Sequence, residues 1–99
     1  MTLFELLETL DHPVAFGYHR TDPELPFFCI MGAGQDQFEA DNTYYKRRDR
    51  WQIEYYFTVK DPELEASIEG LLLTNGYKYE KSEDVYIENQ DVFLIYYTV

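Results

Sequence analysis

The chain has one cysteine, Cys29, so no disulfide can close within a single molecule, which fits a reducing compartment. Histidine is nearly as scarce: His12 and His19 both lie near the N-terminus, and nothing around Cys29 resembles a cysteine-hydrolase signature. There is no C-x-x-C, no H-x-x-x-H and no D-x-D-x-D-G loop, so no metal motif is spelled out. Glycine is sparse too. Gly32 and Gly34 form a G-x-G with no third glycine, which reads as a strand end or bulge rather than a phosphate cradle. No apolar run approaches the roughly 18 residues of a membrane span, and the first residues lack the pattern of a secretory signal. Neither a membrane nor export by a visible signal is therefore expected.

Cations are the scarcest charge: eight basic residues face nineteen acidic ones, for a net charge of -11. Such a field repels phosphate backbones unless a basic patch is segregated. Four of the eight cations are gathered at Lys46, Arg47, Arg48 and Arg50. This cluster reads either as a solvated hairpin tip balancing nearby carboxylates or as a contact for a phosphate or an acidic partner. Asp84, Glu88 and Asp91, or Asp36, Glu39 and Asp41, could gather around a cation, but in so acidic a chain they read as solvated carboxylates. No catalytic, metal-binding or cofactor-binding residue is assigned, no cofactor is expected, and an enzyme is not the expectation.

What the sequence does contain is enough to fold. At 99 residues, 45% hydrophobic and 27% charged, it suits one domain spanning 1–99. Thr2 and Glu5 form a capping box before Leu3, Leu6, Leu7 and Leu10, which predicts a short helix over 2–10. A strand is expected at 14–18 and another at 27–33. Strands at 43–47 and 51–59, joined around Arg48-Asp49-Arg50, make the strongest predicted hairpin. In the second of these, Trp51, Ile53, Tyr55, Phe57 and Val59 should face the core. Asp61-Pro62 starts a second helix, with Leu64, Ile68, Leu71 and Leu72 as its apolar stripe and Asn75-Gly76 as its end. Beyond it lie Tyr77 to Glu80 and a short Val85-Tyr86-Ile87 segment. The final strand, 92–99, is apolar at both parities and needs cover on both faces, from helix 2 on one side and the N-terminal helix or another chain on the other. The expected fold class is α+β, a mainly antiparallel sheet with two helices packed on it, in the order α-β-β-β-β-α-β-β.

Tyrosine is abundant: ten residues, with adjacent pairs at Tyr44-Tyr45, Tyr55-Tyr56 and Tyr96-Tyr97. Neighbours in a strand point to opposite faces, so each pair places one ring in the core and one on the other surface. Such rings either decorate a half-exposed sheet or form an interface. Tyr44, Tyr56, Lys46, Arg47, Arg48 and Arg50 are the candidate protein-interface residues.

The stretches Ala40-Asp41-Asn42, Lys60-Asp61-Pro62-Glu63 and Glu80-Lys81-Ser82-Glu83 occur in that order around Trp51-Gln52-Ile53-Glu54-Tyr55-Tyr56 and the terminal Tyr96-Tyr97. Over about residues 27 to 99 this resembles the small tail-completion, or tail-terminator, proteins of siphophages and prophages of Gram-positive bacteria. The resemblance implies a structural protein of the virion, assembled in the host bacterial cytoplasm. It implies a homo-oligomer, a hexameric ring that caps the tail tube and meets the head-connector proteins, with DNA passing through unbound. An acidic bore would keep that DNA from sticking. A head-tail adaptor or minor capsid protein is the neighbouring alternative, and a monomeric acidic protein-binding regulatory module is the alternative of another class.

Overall fold

The structure, a computed structural model, describes residues 1–40 and 44–99, with side chains described for 1–35 and 49–99. The elements are α1 (Leu3–Glu8), β1 (Val14–Phe16), β2 (Phe27–Ala40), β3 (Tyr44–Phe57), α2 (Pro62–Thr74), β4 (Glu80–Lys81), β5 (Val85–Ile87) and β6 (Val92–Thr98). The protein is α+β, with one six-stranded sheet ordered β1-β2-β3-β6-β4 and β5 also paired to β6. The sheet is mixed rather than purely antiparallel, because β1 runs parallel to β2 with Val14 opposite Phe28 and Phe16 opposite Ile30. A tight turn would have forced an antiparallel pair; the longer segment 17–26 returns the chain to the same end of the sheet.

The observed order, α-β-β-β-α-β-β-β, differs from the expected one in having one strand fewer between residues 27 and 57 and one more after α2. Arg48, Asp49 and Arg50 form no hairpin tip; they lie within β3, which pairs with β2 from Phe27↔Tyr56 to Ala40↔Tyr44. No glycine or proline interrupts 44–57, so the strand runs on. The irregularity sits on the opposite strand. Between Gly32 and Gln35 the register shifts by one residue, and Gly34, at φ +91, takes the left-handed conformation that such a bulge requires.

Local signals set the helices. The Thr2 hydroxyl accepts from the Glu5 N–H at 3.2 Å, and the Thr2 N–H donates to the Glu5 carboxylate at 3.0 Å, completing the capping box. In α2 the Leu64 N–H donates to the Asp61 carboxylate at 3.1 Å, with Pro62 in the first turn. At its other end the Tyr77 N–H reaches Leu72 O at 2.9 Å and the Gly76 N–H reaches Leu73 O at 3.1 Å. Gly76, at φ +84, supplies the positive φ of this Schellman closure.

Both helices pack on one face of the sheet. Leu3 and Leu7 of α1 and Ile68 and Leu72 of α2 form a single cluster with Phe28, Ile30, Ile53, Tyr55, Phe57, Ile95 and Tyr97. Burying one such aliphatic side chain is worth about 1.5–3 kcal/mol, so truncating Ile68 would both lose that and leave a cavity. The N-terminal helix therefore does not cover the second face of β6. Val92, Leu94 and Cys29 are buried outside this cluster. Segment 17–26 lies near that second face: His19 Nε2 bonds Phe28 O at 3.0 Å and its ring meets Phe27 edge-on at 4.9 Å. Val59, expected in the core, is 78% exposed because β3 ends at Phe57.

The outer edge of β6 is lined by β4 and then β5, with a one-residue slip between Lys81↔Tyr97 and Val85↔Leu94. Ser82 spans the slip. Its N–H donates to Tyr96 O at 2.9 Å, and its hydroxyl accepts from the Tyr96 N–H at 2.8 Å in place of a strand carbonyl.

Candidate protein-binding surface

Cys29, around which the sequence shows no hydrolase signature, has a structural setting. It is 3% exposed, and burial first, then the negative Glu54, push its pKa up to about 11. A thiol so held stays protonated at neutral pH and is a poor nucleophile. Among the described residues, no group of three or more His, Cys, Asp or Glu side chains is placed to hold a metal ion. Asp84 instead binds Lys60 Nζ at 3.0 Å, and Asp91 accepts from the Tyr86 hydroxyl at 2.6 Å. The group at Asp36, Glu39 and Asp41 lies outside the described side chains. No helix is long and apolar enough to cross a membrane among the described residues.

The densest polar constellation joins α2 to the sheet edge. Glu65, 4% exposed, is held by Lys60 at 2.8 Å and by Lys81 at 2.9 Å. Lys81 also meets Glu69 at 2.9 Å, and Glu69 accepts from the Tyr97 hydroxyl at 2.8 Å and from the Tyr79 hydroxyl at 3.1 Å. Burial alone raises the Glu69 pKa, but the bonds from Lys81, Tyr97 and Tyr79 together outweigh it and hold the carboxyl below its ordinary value. Each acid here is occupied by a cation or a phenol, which is the arrangement of a clamp. Nothing in the local pattern of α2 marks Glu65; that it turns inward shows only once β4 brings Lys81 to it.

Two other features face outward. The first is an apolar groove of about 450 Å³ between the start of α1 and the sheet, lined by Thr2, Leu3, Phe4, Phe16, Ile30, Trp51 and Tyr77. Phe16 is 69% exposed there, on the edge strand β1. The second is the far part of the β2–β3 hairpin. β6 pairs with β3 only over Gln52–Phe57, with a last pair of bonds between Trp51 and Val99, and β1 pairs with β2 only over Phe28–Ile30. Among the described residues, β2 beyond Ile30 and β3 before Trp51 therefore have only each other as strand neighbours. They form an arm on an elongated molecule of 50 × 27 × 25 Å.

The predicted interface residues divide accordingly. Tyr44, Lys46, Arg47 and Arg48 belong to the β3 part of the arm, and their side chains lie outside the described residues. Arg50 is half-buried in the same strand. Tyr56 is on the face opposite the core as expected, with Tyr55 fully buried behind it. Its ring is not free: it stacks on Phe27 at 4.8 Å, and its hydroxyl donates to Glu54 at 2.9 Å. Tyr56 thus sits where β3 pairs with β6, outside the arm that carries the other five residues. Sequence reasoning missed the groove: Phe16 and Trp51 were read as ordinary strand positions. Neither a known family profile nor a curated protein sequence matches the chain.

Proposed function

We propose that this protein is a non-enzymatic assembly component of a long-tailed bacteriophage, which caps the tail tube as a ring, six copies in the resemblance, and presents a surface to the head connector. The observation that carries the assembly reading is the hairpin arm, whose two strands, among the described residues, have no other strand beside them while an apolar groove opens at its root. Unpaired strand edges and exposed aromatic rings are the usual means by which one protein surface recognises another. The tail assignment itself rests on the resemblance of residues 27 to 99. The ion pairs that hold Glu65 and Glu69 to Lys60 and Lys81, and the protonated thiol of Cys29, fit a structural role better than a catalytic one. The acidic composition suits a protein that DNA passes without binding.

The test is sedimentation of the purified protein with polymerised tail tubes and, separately, with connector particles. Binding to tube ends and arrest of tube growth is the expected result. Binding to connectors alone would move the protein to a head-tail adaptor, and binding to neither would remove it from the tail.

A further inference from the structure

The two strands of the arm carry opposite charge. The β2 part, Met31–Ala40, contains Asp36 and Glu39 and no cation, whereas the β3 part, residues 44–50, contains Lys46, Arg47, Arg48 and Arg50 against Asp49 alone. Within one molecule the strands are already matched, with Asp36 opposite Arg48 and Gln37 opposite Arg47 in the register. Each strand also has an outer edge, and among the described residues no strand pairs with either. One edge is thus acidic and the other basic, on opposite sides of the same hairpin.

We infer that this arm pairs edge to edge with the arms of further copies, the β3 edge of one against the β2 edge of the next. This rests on the assembly reading above and names its contact. When hairpins stand side by side pointing the same way, β3 of one copy runs antiparallel to β2 of its neighbour, the geometry of an ordinary antiparallel ladder. Every basic strand then lies between two acidic ones. A two-fold dimer made through one edge would set β2 against β2 or β3 against β3, placing like charges opposite one another, which is unfavourable. The charge pattern therefore selects a head-to-tail contact, which must close into a ring or grow without limit. Backbone bonds supply the adhesion and charge supplies the order. The exposed Gly32-Ala33-Gly34 bulge marks where the arm leaves the body of the sheet.

The test uses two full-length variants, one with Lys46, Arg47 and Arg48 each changed to Glu, the other with Asp36→Lys and Glu39→Lys. Native mass is measured by light scattering for wild type, for each variant and for their equimolar mixture, with circular dichroism to confirm that each folds. The expected result is an oligomer for wild type, loss of the oligomer in each variant, and its return on mixing, since the acidic β3 of one variant then meets the basic β2 of the other. An oligomer that persists in both variants would overturn edge pairing while leaving ring assembly standing. An oligomer lost in each variant that does not return on mixing would show that the charges act within the hairpin and would also overturn it. A wild type monomeric at every concentration but bound to tail tubes would overturn pairing between copies and keep the tail reading.

Discussion

Lys81 Nζ lies 2.9 Å from Glu65 Oε1 and 2.9 Å from Glu69 Oε2, so a single cation on the sheet edge holds two carboxylates of α2. Glu65 is nearly sealed from water, with a side chain 5% exposed, while Lys60 and Lys81 are 48% and 33% exposed. Lys81→Met should destabilise the fold by about 2–3 kcal/mol, below the range for a fully buried pair because Lys60 still serves Glu65 and solvent reaches both lysines. Urea unfolding at neutral pH measures it. A loss under about 0.5 kcal/mol would mean that the clamp is an ordinary surface pair.

Glu69 gives the same clamp an acid dependence. Its folded pKa lies below the ordinary value of 4.5, so its bonds contribute fully above that value and are lost as pH falls through the folded value. Glu69→Gln should therefore be less stable than wild type at neutral pH, and the gap should shrink on acidification below about pH 4.5. Thermal unfolding of both proteins across pH 3 to 7 would show whether the two curves converge; parallel curves would contradict the assignment.

Two buried phenols should behave oppositely. The Tyr97 hydroxyl donates to Glu69 at 2.8 Å, whereas the Tyr55 hydroxyl is buried with no hydrogen-bond partner among the described residues. Tyr97→Phe should cost about 1–2 kcal/mol, and Tyr55→Phe should be neutral or stabilising, since it removes a desolvated group with nothing to bond. Denaturation midpoints of the two variants decide this, and a clear loss in Tyr55→Phe would imply an ordered water on that oxygen.

Cys29 should resist alkylation. With its pKa at about 11 and 3% exposure, the thiol should react with iodoacetamide at neutral pH only as fast as the sheet opens, and at full rate in denaturant. Rapid labelling of the folded protein would show that segment 17–26 does not protect it.

The parts of the fold legible in sequence were those set by near neighbours. The capping box at Thr2 and Glu5, the Asp61-Pro62 start and the Asn75-Gly76 end all lie where short-range bonds make them. Alternation in 51–57 gave the core face of β3, with Ile53, Tyr55 and Phe57 buried and Tyr56 turned away. What failed was long-range. The cluster Arg48-Asp49-Arg50 looks like a turn because its residues are polar, yet strand pairing with Gln35, Asp36 and Gln37 carries the ladder through it. Glu65 looks solvated until a strand sixteen residues away delivers Lys81. The groove was hidden for a related reason: it is built by Thr2, Leu3 and Phe4 at the start of α1 together with Phe16, Ile30, Trp51 and Tyr77, which no local pattern around Phe16 records.

The groove itself can be separated from stability. Phe16, mostly in water, should tolerate Phe16→Ser within about 0.5 kcal/mol of wild-type stability. The same change should weaken attachment to the tail tube if the groove receives a partner side chain. Co-sedimentation and urea unfolding of one preparation report both.

The most direct measurement is the native mass of the wild-type protein by light scattering across protein concentration and ionic strength. Assembly through the arm edges predicts a discrete ring-sized oligomer whose dissociation shifts to higher protein concentration as salt screens the edges. A monomer at every concentration and salt, with no binding to tail tubes, would contradict the account.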